Sequence, residues 1–329
     1  MGDGGEYGGS EISTGAEAET SGMDSSPTES EGGEFSNTEG CFDTVETEEN
    51  TSYGNSVVTC TETELTDRTV TPDTFEGISH RARSTAFDYA GEHCPDRKSE
   101  FESRGRETAT NAHLSEMPSE NILGYHTTDT NEVYVSDKLT EKAAMHTALH
   151  EYTHEASYRE KTSEYSEKDH TITENRRSGL SIYSHVYSSD TGDLIESESK
   201  NVGLNEGITE EYTLRASYQN GIETGGVEAY STNREYATEI ESMVGSDMVS
   251  DAYYNGMSDE LADRINELGK DENTWSDINR CLDTINEQYT NPTAEQIAEK
   301  DAAFEELNGI IDRMNNTRVE EIFNETENS

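Results

Sequence analysis

Apolar positions recur in helical register through the second half of the chain. Tyr236, Ile240, Met243 and Val244, then Leu261, Ile265 and Leu268, then Ile278, Leu282 and Ile285 recur mainly at intervals of three and four, the period that gathers side chains on one face of an α-helix. A last stripe, Phe304, Leu307, Ile311 and Met314, keeps heptad spacing for only two heptads, fewer than a coiled coil sustains. It predicts a helix docked on its own domain rather than a dimer seam, and hence a monomer.

The first half reads differently. Asn131 to Ser136 alternates polar and β-forming residues, which predicts a short strand, and Lys142 to Leu149 follows with good helix formers and neither Gly nor Pro. A strand placed so offers an edge to which an extended peptide can pair. Leu180, Ile182, Val186 and Tyr187 lead into Asp190-Thr191-Gly192-Asp193, with Leu194 and Ile195 beyond it, the pattern of a β-hairpin. Pro72-Asp73-Thr74 marks a helix start, with the helix expected to reach Tyr89, and a second helix is expected over Leu204 to Thr213. Residues 1 to 70 are dominated by Gly, Ser, Thr and Glu and cannot build a core, so they read as a disordered acidic tail. The expected organisation is that tail, an α+β domain over 71–290 with a small antiparallel sheet and a mainly helical C-terminal half, and a C-terminal amphipathic helix and tail over 291–329.

The chemistry centres on His150-Glu151-Tyr152-Thr153-His154, an HExxH box inside the predicted helix. Residues four apart share a helical face, so both imidazoles can reach one zinc ion while Glu151 stands beside the water that the metal would activate. His146 and His150 are also four apart, but Thr147 stands where that frame needs its carboxylate, so His146 reads as structural. A catalytic zinc takes three protein ligands and keeps a fourth position open. The best source of the third is Glu206, on the second helix, with Glu210 one turn on able to accept from the outer nitrogen of a ligand histidine.

With these residues the chain resembles the gluzincins, and most closely the compact minigluzincin-like peptidases. Their HExxH helix is followed by a helix carrying Asn-Glu-Gly-x-Thr-Glu, matched here by Asn205, Glu206, Gly207, Thr209 and Glu210. The resemblance extends over Arg177 to Tyr183, the turn at Asp190 to Asp193, Tyr230 to Glu239 and Ala252 to Gly256, or about residues 120 to 290. It implies a zincin-like fold and a zinc-dependent endopeptidase acting on a peptide or protein, with Glu206 as the third ligand and Asn205 and Glu210 around it. The subgroup with HExxHxxGxxH is excluded, because Glu155 to Glu160 contain neither Gly nor His. His154 and Glu206 lie further apart than in a short helix-turn-helix gluzincin, a separation that the hairpin closes. Glu151 is expected to act as general base and then to return its proton to the leaving amine. The sequence offers Tyr212, Tyr230, Tyr236 and His185 as donors to the oxyanion, and the position of Tyr230 in the family favours it. The competing reading is an acidic binding protein that retains the scaffold without catalysis; a calcium-type loop, which would need D-x-D-x-D-G, is missing.

Cys41, Cys60, Cys94 and Cys281 form no CxxC pair or zinc-finger spacing, and Cys281 falls on an apolar helical stripe as a small core residue. There is no glycine-rich phosphate loop and no GxSxG elbow. The N-terminus lacks a basic and an apolar region, and no apolar run approaches a membrane span, so a cytoplasmic protein is expected, or one delivered by a non-classical route.

Composition adds the environment. Asp and Glu outnumber Lys and Arg by 71 to 23, a formal net charge of -48, which repels nucleic acid and anionic membranes and fits the cytoplasm of a halophile. At about 1 M salt the Debye length falls to about 3 Å, damping this self-repulsion. The thermal unfolding midpoint is therefore expected to rise steadily as KCl is raised from about 0.1 M to about 1 M; a midpoint independent of salt in a calorimetric titration would contradict the halophilic reading.

Overall fold

Thr71 starts the first helix where the sequence predicts it. Its hydroxyl accepts from the Thr74 amide at 3.3 Å while the Thr74 hydroxyl accepts from the Thr71 amide at 3.1 Å, a reciprocal capping box with Pro72 in the first turn. The computed structural model describes residues 65–107, 111–118, 122–127, 130–225, 227, 229–287 and 292–327. The expected acidic tail as far as residue 64, with Cys41 and Cys60, lies outside the described residues.

Helix α1 (Pro72–His93) runs past the expected end at Tyr89, because Ala90 and Gly91 continue its buried face. A short 3-10 turn leads to α2 (Lys98–Gly105), which folds back on α1. Next come β1 (Ala112–Ser115), β2 (Gly124–Thr127) and β3 (Glu132–Ser136), in the order β1-β3-β2. β3 is parallel to β1 and antiparallel to β2, so this small sheet is mixed rather than antiparallel. The strand expected to offer a free edge is β3, yet it sits in the middle. The edge strand against the following helix is β2, whose Gly124 packs on Thr147 and Glu151.

That helix, α3 (Glu141–Ala156), is capped by Thr140, whose hydroxyl accepts from the Ala143 amide at 3.2 Å. Its start is clamped by residues expected in the tail. The Glu141 amide donates to Arg68 O and the Val70 amide to Leu139 O, each at 2.9 Å, and Thr66 donates from its amide and hydroxyl to the Glu141 carboxylate at 3.0 and 2.7 Å. Val70 is buried, so the ordered domain begins by Leu65 and the boundary expected at 71 moves.

The expected hairpin is present as β6 (Ser181–Ser188) and β7 (Leu194–Lys200), but it belongs to a four-stranded antiparallel meander with β4 (Arg159–Ser166) and β5 (Thr171–Ser178). β4 and β5 were unreadable because alternation records one buried face, and along β4 no residue is fully buried.

From α4 (Val202–Gln219) onward the described chain is helical: α5 (Ser231–Val244), α6 (Ser246–Asn255), α7 (Ser258–Gly269), α8 (Thr274–Asn286) and α9 (Ala294–Glu327). The architecture is thus α+β. The predicted stripes fall inside, with Ile240, Leu261, Ile265, Ile278, Leu282, Leu307, Ile311 and Met314 all buried in one core together with Cys281. α9 packs on α7 and α8, so the C-terminal helix docks on its own domain as expected and belongs to the same unit as the rest of the described chain. Among the described residues no helix is long and apolar enough to cross a membrane.

The end of α3 is fixed by Glu155, which is fully buried. Arg83 grips its carboxylate through two nitrogens at 2.9 and 3.2 Å, and the side-chain amides of Asn111 and Asn131 each donate to it at 3.1 Å. Replacing it by Leu leaves the Arg83 guanidinium buried without its partner. Glu155→Leu is expected to lower folding stability by about 3–5 kcal/mol in denaturant titration; a loss below about 1 kcal/mol would show that the network is not needed.

Candidate metal centre

α3 is buried around its whole circumference, so its polar side chains find partners inside the protein. His150 and His154, one turn apart, bring their Nε2 atoms within 3.2 Å of each other. Glu206 comes from α4, which is pressed against α3 on one side and against α5 and α8 on the other. Two glycines permit this approach: a Cβ at Gly207 would lie 2.4 Å from Asn233 O, and one at Gly203 2.4 Å from Leu282 O. Glu206 Oε2 thereby stands 3.2 Å from His150 Nε2 and 3.3 Å from His154 Nε2. The long sequence separation is closed as expected, because the meander returns the chain: the Asn205 side chain accepts from the Leu180 amide at 2.9 Å, pinning the β5–β6 turn to the start of α4.

The outer nitrogens are also held. His150 Nδ1 is 3.0 Å from Glu210 Oε2, and since a carboxylate only accepts, the proton sits on Nδ1 and the Nε2 lone pair faces inward. For His154, Nδ1 lies 3.4 Å from Thr209 Oγ1 and 3.5 Å from Asn205 Nδ2. The Thr209 hydroxyl donates to Asn205 O at 2.8 Å, which leaves it to accept, from Tyr253 OH at 2.7 Å and from His154. His154 therefore also presents an Nε2 lone pair. His146, read as structural, is buried one turn before His150, with Nε2 at 3.2 Å from Glu210 Oε1.

The electrostatics favour positive charge at the convergence point. Burial opposes a charge on His150, yet the Glu206 and Glu210 carboxylates overcome it and push its pKa up to about 10. Burial would raise Glu206 and Glu210 too, but the histidines hold both down at about 2: His154 and His150 act on Glu206, His146 and His150 on Glu210. The same field that retains a proton there attracts a divalent cation, for which that proton must leave. Glu151 is pushed up to about 7 by burial, against the pull of His150 and His154.

Three lone pairs on buried side chains converge within 3.2 to 3.3 Å. Ligands about 2.0–2.1 Å from a tetrahedral zinc stand about 3.3–3.4 Å from one another, so the set fits that ion without rearrangement. The two-His, one-carboxylate donor set suits it chemically as well.

The tyrosine offered by family position is also here. Tyr230 caps α5 in a left-handed conformation at φ 52°, and its ring lies nearly parallel to that of His150, with centroids 5.5 Å apart. The other candidates lie elsewhere: Tyr212 stacks with Tyr254 in the core, Tyr236 donates to Asn308, and His185 pairs with Ser197 on the meander. Sequence reading missed Tyr253, which supports Thr209, and His126 on β2. Burial and the Arg159 guanidinium push His126 down to about 3, and its Nε2 donates to Asn131 Oδ1 at 3.1 Å, joining it to the Glu155 network. No motif spacing announces either residue, since each partner lies on a different element.

No protein family, curated protein or solved structure matches the chain.

Protein purified in high salt and incubated with zinc is expected to hold about one ion per chain by mass spectrometry, and Glu206→Ala to lose it. A wild type without zinc, or a variant that keeps it, would refute this ligand set.

Proposed function

We propose that the chain is a zinc-dependent metalloendopeptidase of the gluzincin type, with a zincin-like catalytic domain built on α3 and α4. The observation that carries this reading is the convergence of His150, His154 and Glu206 with the Glu151 carboxylate, one oxygen of which is unpaired, beside them. A purely structural metal site closes its coordination sphere with four protein ligands and has no use for that carboxylate.

Zinc held by the three side chains would supply Lewis acidity, bringing the pKa of water toward neutrality and polarising a peptide carbonyl. The remaining work belongs to the chain. Glu151 Oε2 has no hydrogen-bond partner, and its carboxyl is raised to about 7 by burial, so it can take a proton from the attacking water and return it to the leaving amine. A bound cation would pull that value down, leaving the carboxylate ionised as a base requires. Glu210, accepting from His150, and Thr209, accepting from His154, keep both imidazoles in the tautomer that presents Nε2. Tyr230, against His150, is the residue assigned to stabilise the oxyanion. A peptide substrate would pair along β2, the edge strand over α3. The protein is assigned to the cytoplasm, and the acidic surface suits a salt-rich one.

Glu151→Gln is expected to retain zinc while hydrolysis of a peptide pool falls by at least about a hundredfold, the scale of general-base catalysis. Full activity in that variant, assayed by mass spectrometry of the pool, would eliminate the mechanism; loss of zinc along with activity would demote Glu151 to a structural role.

A further inference from the structure

Beside Glu151 and beneath Gly124 of β2 lies a cavity of about 20 Å³, with His146 and Thr147 on its α3 side and Leu123 and Tyr230 among its other walls. It differs from an ordinary apolar pocket in what its walls leave unpaired. Thr147 Oγ1, Glu151 Oε2 and His146 Nδ1 have no hydrogen-bond partner, and His146 Nε2 meets Glu210 Oε1 only at 3.2 Å without hydrogen-bond alignment. All three residues are at least 96% buried, exposing 4%, 2% and 1%. Buried polar atoms are ordinarily satisfied, so three residues of this kind around one small cavity call for an occupant that can hydrogen-bond.

The size and position of the cavity define that occupant. A volume of about 20 Å³ admits one water-sized group, since a single water needs about 10–15 Å³, and excludes a branched aliphatic or aromatic side chain. It lies between the edge strand and the general base. An extended peptide lying along β2 sends alternate side chains toward α3, and the one that reaches this cavity adjoins the bond next to Glu151.

We infer that this cavity is a specificity pocket selecting serine at a position flanking the cleaved bond, the serine hydroxyl being bound between Thr147 Oγ1 and the His146 ring. This rests on the peptidase reading and names its substrate class. A hydroxyl both donates and accepts, so it can satisfy an imidazole nitrogen and a threonine hydroxyl together. An alanine leaves both unpaired, and a leucine cannot enter. Gly124 belongs to the same device: a Cβ there would stand 2.5 Å from Thr147 Cγ2, so only glycine lets the strand close over Thr147.

The test is kcat/KM of the zinc-loaded protein on peptides that differ only at the two residues flanking one bond, which carry Ser, Ala, Val or Leu in turn. Serine at one of the two positions is expected to be preferred over alanine by at least about tenfold, with valine and leucine poorer still. Thr147→Val keeps the methyl group that packs under Gly124 but replaces the hydroxyl. It should bring the serine-to-alanine ratio close to one, and Thr147→Ser should restore the preference. Cleavage with a ratio near one in the wild type, or a preference for leucine, overturns the pocket and leaves the peptidase standing. Zinc bound with no peptide cleaved overturns both readings. The wild-type ratio decides even if a variant fails to fold.

Discussion

A helix carrying three histidines and three glutamates passes through the middle of this domain, and each of those groups has to be reconciled with burial. Moving an ionisable side chain out of water is costly unless it is paired, and α3 has no solvent-facing side on which to leave one. The structure responds by packing α3 with elements that carry the complementary groups. Arg83 of α1 meets Glu155, Glu206 and Glu210 of α4 meet His146, His150 and His154, and Thr66 meets Glu141.

The candidate metal centre and the packing of the core are the same problem solved once. The two carboxylates that hold the histidines also set α4 against α3, and the glycines at 203 and 207 allow α5 and α8 to support α4 from behind. Glu151 is left less well paired than these, as are the Thr147 hydroxyl and the His146 ring. The Glu151 Oε2 is buried without a partner, and burial raises the carboxyl pKa, an arrangement that costs stability.

The four-stranded meander contrasts with this interior. Its strands leave Tyr165, Leu194 and Ile195 exposed and attach to the helices chiefly near the β5–β6 turn, where Asn205 and Arg177 hold the backbone. Its contribution to the centre is topological: it carries the chain from the end of α3 back to the start of α4.

The sequence alone determined what local chemistry can encode. The capping threonine and Pro72, the apolar stripes of α5, α7, α8 and α9, the HExxH spacing and the acidic pair at Glu206 and Glu210 were all legible, because helical periodicity and one-turn ligand spacing are properties of a single element. Tertiary structure decided everything that joins elements. It placed β3 in the centre of its sheet and gave the edge to β2, drew residues 65 to 70 into the fold, and laid the Tyr230 ring against His150. β4 stayed unreadable because a strand buried on neither face carries no alternation, and His126 and Tyr253 because their partners lie on other elements. A one-dimensional pattern records which face of an element is apolar, whereas which polar groups must share the interior is fixed only when the elements pack.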